Sequence, residues 1–246
     1  MSKKMLLRIA IFYIIAIGVS NIVRFQLFGI DKLYEQLPLI GKIMVSPLQS
    51  IAIMLAALLA LYKLSKERPT KYGLFGTSKK WSLVMGVVPV IIFGIFGIDN
   101  SVGLNPHIMG FLAGLFLLVY CIFEEYGWRG YLEDELSGQK EWIRVLVIGV
   151  LWYLWHLSFL NSPGIIENFK FFGLLLLGSW GIGKIVQSTK SVLVAACFHM
   201  IYNTWMMQIE TNYIVSRSKK LWLIGACLII WIVILKVWRR GQLKNQ

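Results

Sequence analysis

Three short stretches of this chain set polar and ionisable side chains inside long apolar runs. They are Phe123-Glu124-Glu125-Tyr126-Gly127-Trp128-Arg129, Leu151-Trp152-Tyr153-Leu154-Trp155-His156-Leu157 and Cys197-Phe198-His199-Met200-Ile201-Tyr202-Asn203. A glutamate paired with an imidazole is what general-base activation of water requires. A further histidine and an asparagine amide can donate hydrogen bonds to a developing oxyanion. Adjacent helical residues point about 100° apart, whereas residues four apart share a face. Glu125 therefore faces Arg129 and can pair with it, while Glu124 points elsewhere and has no such partner. His199 and Asn203, also four apart, share one face. Each stretch alone has a simpler reading. The first could be a helix end with a solvated charge cluster, because Glu133, Asp134 and Glu135 follow. The second could be a packing histidine, and the third a hydrogen bond between helices. Together these readings weaken. Polar groups in lipid face inward or line a wet cavity, and a charged residue at the bilayer centre costs roughly 2.5–3.5 kcal/mol on insertion scales. Three such faces are expected to converge on one hydrated pocket. The remaining histidine, His107, reads as a surface residue.

The elements that must position these groups are membrane spans. Of 246 residues, 57% are hydrophobic and only 15% charged, against about 25% charged in an ordinary soluble domain. A span needs about 20 mostly apolar residues. Eight segments qualify: Met5–Val23, Met44–Leu64, Trp81–Ile98, Ile108–Tyr131, Ile143–Ile166, Phe171–Lys184, Ser191–Met207 and Leu221–Trp238. The sixth is short and glycine-rich (Gly173, Gly178, Gly181, Gly183), which suits close helix packing. The expected fold is all-α: a polytopic transmembrane helical bundle of about eight spans, forming one membrane domain over residues 1–246. With the N-terminus inside, most Lys and Arg fall in cytoplasmic segments, with Lys63–Lys80 the strongest marker and Arg217–Lys220 the dissent. Both termini are then cytoplasmic. The first apolar run reads as a retained span, since it lacks a clear small-residue cleavage site. The net charge of +13 is scattered between apolar runs, as topology signals and contact with anionic lipid require, and does not point to nucleic acid. Cys121, Cys197 and Cys227 have neither metal-ligand nor disulfide spacing and read as packing residues. For Glu124 and His156 to share one depth, the fourth segment must shift to about 114–134 and the fifth to about 146–166, which buries Arg129.

These residues resemble a known family. Glu124-Glu125-x-x-x-Arg129 matches the EExxxR motif of the CAAX-protease and bacteriocin-processing (CPBP, or Abi) family of intramembrane proteases. Trp152-x-x-x-His156 resembles its FxxxH motif, with Trp in place of the usual Phe, and His199-x-x-x-Asn203 resembles its HxxxN motif. The three occur in the family's order over roughly residues 108–207. The resemblance implies an intramembrane endopeptidase in which Glu124 and His156 activate water and His199 and Asn203 stabilise the oxyanion. Glu125 and Arg129 would fix the helix behind them. It implies no cofactor, a membrane-associated peptide or protein substrate and a bilayer setting, which the short loops and cytoplasmic termini suggest is a prokaryotic plasma membrane. Three alternatives stay open. A zinc-dependent protease could use the same histidines and carboxylate. A non-catalytic membrane scaffold or regulator could retain the motifs, and a transporter could use them as a proton relay.

Overall fold

The computed structural model describes residues 2–25, 27–45, 47–61, 70–101, 103–160, 164–206 and 213–244. The chain is all-α apart from one two-residue strand pair. In chain order the helices are α1 Lys3–Arg24, α2 Ile30–Glu35, α3 Leu39–Val45, α4 Leu48–Leu59, α5 Lys79–Phe96, α6 Pro106–Glu125, α7 Glu133–Glu135, α8 Glu141–His156, α9 Ile165–Thr189, α10 Val192–Met206 and α11 Arg217–Lys244. Strands β1 Asp99–Asn100 and β2 Tyr213–Ile214 pair antiparallel.

Each of the eight apolar segments holds a helix: α1, α4, α5, α6, α8, α9, α10 and α11. Among the described residues, five stretches are long and apolar enough to cross a membrane: Lys3–Ile22, Lys79–Phe96, Pro106–Glu135, Ile165–Thr189 and Arg217–Gly241. Their outer faces carry large apolar side chains such as Leu7, Ile14, Ile91, Leu177, Ile229 and Val233. That is the surface hydrocarbon tails require, because only backbone groups already bonded within a helix can enter lipid.

Local chemistry sets the boundaries. Asn105 caps α6 by accepting from the His107 and Ile108 amides, with Pro106 supplying the first turn. Ser78 accepts from the Trp81 amide and starts α5. A π-helical stretch, Tyr126–Leu132, joins α6 to α7 and begins directly after the glutamate pair. Single π turns inside longer helices are frequent at functional sites. Lys190, at φ 59°, turns α9 into α10. The segment Gly73–Thr77 seals that corner with hydrogen bonds donated by the Gly73 amide to Lys190 O and by the Thr77 amide to Thr189 O.

Two boundaries differ from the sequence reading. The fifth segment was expected to run to Ile166, with His156 near its middle. Instead His156 is the last residue of α8, which Leu157 ends in a left-handed conformation, φ 52°. A short 3-10 turn, Ser158–Leu160, follows, and α9 begins at Ile165. The apolar residues beyond that turn belong to α9, so the sixth segment is 25 residues long rather than short. Of its glycines, Gly178 allows the close approach: a Cβ there would lie 3.3 Å from the Trp152 ring. Residues 62–69, which hold Lys63, Lys66 and Arg68 of the strongest cytoplasmic marker, lie outside the described residues.

Glu133, Asp134 and Glu135, which the simpler reading of the first stretch places in a solvated charge cluster, are buried. Arg8 of α1 pairs with Glu135. Arg144 of α8 pairs with Glu133 at 2.9 Å, and Gln187 of α9 donates to the same carboxylate at 2.8 Å. The Lys71 amide donates to Asp134. These pairs tie α1, α8 and α9 to the end of the α6–α7 rod, so the acids that look solvated in sequence act as a fastening point.

Around this frame lie two apolar clusters. One joins α1, α4, the π stretch, α8 and α9 through Phe12, Ile53, Trp128, Tyr131 and Trp155. The other joins α5, α6, α10 and α11 through Met85, Phe93, Met109 and Trp231. The polar residues of the three motifs sit between them. A Cβ added at Gly110 would collide with the Phe93 carbonyl of α5, whereas one at Gly181 meets nothing within 4 Å. We predict that Gly110→Ala lowers the unfolding midpoint in detergent, a loss of about 1–3 kcal/mol. Gly181→Ala should be neutral or raise it slightly.

Candidate active site

Glu124 and Glu125 occupy the last turn of α6. Both are buried, and the π stretch carries Arg129 back over them. Arg129 Nη1 donates to Glu125 Oε1 at 2.8 Å, with both side chains fully buried. Arg129 Nη2 donates to Gly178 O of α9 at 3.2 Å, and the guanidinium lies 4.4 Å over the Trp152 ring. The arginine expected at a buried position is thus held on three sides.

His199 comes from α10. Its Nδ1 lies 2.8 Å from Glu125 Oε1, a close contact without hydrogen-bond alignment. Its Nε2 lies 4.0 Å from Glu124 Oε2. One turn along α10, Asn203 Nδ2 donates to the Cys121 thiol at 3.3 Å. Cys121 is itself one turn before the glutamates on α6. Helix α10 therefore presents His199 and Asn203 to the face of α6 that bears both glutamates.

His156 is positioned differently. Its Nδ1 is 2.8 Å from Trp152 O, one turn back on α8. A carbonyl can only accept, so Nδ1 carries the proton and Nε2 is left with its lone pair. The ring packs edge-on to Trp155 at 4.9 Å and Phe171 at 5.1 Å. No hydrogen bond or ion pair joins it to either glutamate among the described residues, but Glu124 and His199 both act on it electrostatically.

The residue at the centre is Trp152. Its indole N–H donates to Glu124 Oε2 at 3.1 Å. Its ring meets His199 edge-on at 5.1 Å and His156 at 6.0 Å. The sequence reading treated it as an aromatic equivalent of Phe. It is more than that, because Phe has no donor to offer the carboxylate. Two other participants escaped the sequence reading. Tyr120, one turn before Glu124, has its phenol within the field of that carboxylate. Arg24, directly after the first apolar segment, lies against Trp155 with its field on Glu124. The signals were present, namely an i, i+4 spacing for Tyr120 and an arginine closing an apolar run for Arg24. Neither could be separated from ordinary interfacial residues without the fold.

The six motif residues thus gather from α6, the π stretch, α8 and α10, with Glu124, Glu125, Arg129 and His199 buried and His156 and Asn203 half-buried. Glu124, Glu125, Arg129 and His199 are in direct contact or nearly so, with Asn203 one turn away and His156 across Trp152. His107 is exposed, its Nδ1 2.9 Å from Gly94 O. The three cysteines are buried and free. Among the described residues no three His, Cys, Asp or Glu side chains converge as metal ligands. A large apolar groove of about 1130 Å³ lies between α8 and α9, lined by residues such as Trp142, Leu146, Phe169 and Trp180, and includes none of the motif residues.

All of these motif residues fall within a segment that matches a known family. Residues 107–205 match the family "Type II CAAX prenyl endopeptidase Rce1-like". The resemblance read from three motifs is therefore borne out over the Rce1-like segment. Over 136 residues the chain is 29% identical to a protein of Methanococcus maripaludis named CAAX prenyl protease 2. That alignment takes in 49% of this chain and 50% of the relative, so the chain spans about half the length of the curated protein it matches. The Rce1-like match and the five apolar helices make this a multi-pass integral membrane protein.

The Trp152–Glu124 bond gives a measurable expectation. Trp152→Phe keeps the ring and removes the donor. In a double-mutant cycle with Glu124→Ala, read by unfolding in detergent, the two changes should couple by about 1 kcal/mol. Additive losses would mean the bond contributes nothing.

Proposed function

We propose that the chain is an intramembrane endopeptidase that hydrolyses peptide bonds of a membrane-associated peptide or protein. The observation that carries this reading is the separation of 4.0 Å between Glu124 Oε2 and His199 Nε2 inside a buried cluster. The oxygen of one water molecule can hydrogen-bond to both across that distance.

In this reading Glu124 is the general base. It takes a proton from water as the water oxygen adds to the carbonyl carbon, and His156 Nε2 accepts the second O–H to orient the attack. The oxyanion takes hydrogen bonds from the Asn203 amide and from His199. A thiol is a weak acceptor, so Asn203 exchanges Cys121 for the oxyanion at little cost. When the C–N bond breaks, Glu124 returns its proton to the leaving amine. Glu125 and Arg129 do no chemistry. Their pairing fixes the His199 ring and leaves Glu124 as the carboxylate without a cation in contact.

For the membrane arrangement we propose eight crossings with both termini cytoplasmic, in a prokaryotic plasma membrane. The one-to-one correspondence between eight apolar segments and eight helices supports it. Accessibility of single cysteines at the two termini to an impermeant reagent should be equal, and confined to the cytoplasmic side.

The test of activity uses a quenched fluorescent peptide with a lipid anchor and the protein in liposomes. Glu124→Gln and His156→Ala should abolish cleavage, and Asn203→Ala should slow it by about 10²–10³. Exhaustive chelation should leave the rate unchanged, and its loss would favour the zinc-dependent version. Biological function intact in folded Glu124→Gln protein would favour a scaffold.

A further inference from the structure

Helices α5 and α11 lie outside the matched segment 107–205, so the family match gives their residues no role. Both pack against α10, the helix that carries His199 and Asn203. Pro89 lies inside α5 and is buried. Proline has no amide hydrogen, so the Met85 carbonyl, four residues back, is denied its helical donor. Hydrocarbon offers no replacement. Trp231 of α11 supplies one: its indole N–H donates to Met85 O at 3.0 Å, with both residues buried. The ring of Trp231 is thus locked to α5 by a bond that Pro89 makes necessary.

The same ring faces α10. Its centroid lies 5.4 Å from that of Phe198, the residue directly before His199. Beside it Pro89, Phe93, Met200, Thr204 and Cys227 enclose a space of only about 10 Å³, barely enough for one water. One turn and a half back along α10, Leu193 closes on Gly86 of α5, where a Cβ would lie 3.2 Å from its Cδ1. Helix α10 therefore has no slack on the side of α5 and α11. Toward α6 it presents His199, 2.8 Å from Glu125 and 4.0 Å from Glu124. It is held between the glutamates of α6 and the tryptophan of α11, and the placing of its backbone fixes the longer of those two distances.

We propose that Trp231 is a positioning residue for His199. Anchored on the carbonyl that Pro89 orphans, it braces Phe198 and so sets the gap between His199 Nε2 and Glu124 Oε2. The proposal rests on the endopeptidase reading above, in which one water bridges that gap. A misplacement of about 1 Å far from the chemistry can cost about 10²-fold in rate. Asn203, one turn further along α10, is carried by the same brace. The site thus takes its geometry from a helix pair that contributes no reacting group.

The experiment measures cleavage of the quenched peptide in liposomes, with rates counted per folded protein. Trp231→Phe keeps a ring beside Phe198 and loses the donor. Its kcat should fall about 10- to 100-fold with KM within about twofold of wild type. Pro89→Ala gives Met85 O a helical donor, so Trp231→Phe should cost less in that background than alone. Phe198→Leu removes the braced ring and leaves the Met85 bond; it should reproduce the loss in kcat, and adding Trp231→Phe should lower kcat no further. Trp222→Phe, at an exposed tryptophan of the same helix, should change nothing. A wild-type kcat in Trp231→Phe or in Phe198→Leu, or an equal loss with and without Pro89→Ala, would overturn the brace. A second arm needs no cleavage. In NMR spectra of protein labelled in its histidine rings, the His199 resonances, assigned by their absence in His199→Gln, should shift in Trp231→Phe and stay in place in Trp222→Phe. Unshifted resonances would sink the brace. A shift in a protein of which no form cleaves the peptide would keep the brace and sink the protease.

Discussion

The structure depends on one buried ion pair. Arg129 and Glu125 meet at 2.8 Å with neither side chain exposed, in a chain whose outer surface is built for lipid. Breaking a buried pair by removing one partner leaves an uncompensated charge and costs about 3–5 kcal/mol. The pair is also shared. Arg129 reaches Gly178 O on α9 and the Trp152 ring on α8, while Glu125 takes up His199 on α10. One pair therefore fixes the mutual positions of four helices at the depth where the motif residues gather. With Glu125 committed to Arg129 and His199, Glu124 is left with Trp152, Tyr120 and the long contact to His199 Nε2. The proposed division between a structural Glu125 and a chemical Glu124 rests on that asymmetry.

The helix widens into a π stretch, Tyr126–Leu132, directly after the pair. At its far end the acids Glu133–Glu135 are taken up by Arg8, Arg144 and Gln187. The rod from Pro106 to Glu135 is thus anchored by charge at its foot and by the buried pair near its middle. Trp152 fills the space between, and Gly178 leaves room for its ring.

Much of this was legible in the sequence for a physical reason. Charges in apolar runs are costly, so their positions mark the site, and the i, i+4 rule alone assigned Arg129 to Glu125 rather than Glu124. The eight segments each proved to hold a helix because hydrophobic length is a strong signal. What failed were features that depend on a third residue. His156 looked mid-span because apolar residues continue past Leu157, although the chain turns there. Glu133–Glu135 looked solvated because their arginines come from α1 and α8. Arg24 looked like a loop charge, and Trp152 like a substitute for Phe, because the carboxylate and the rings that give them meaning are supplied by other helices.

The most direct check of this division of labour needs no substrate. Glu124→Gln and Glu125→Gln are isosteric, and their unfolding midpoints in detergent can be measured side by side. Glu125→Gln should lower the midpoint strongly, since it strands Arg129 and releases His199. Glu124→Gln keeps an oxygen for Trp152 and removes a charge that no cation contacts, so its midpoint should stay the same or rise. Equal losses in the two variants, or a larger loss at Glu124, would contradict the account.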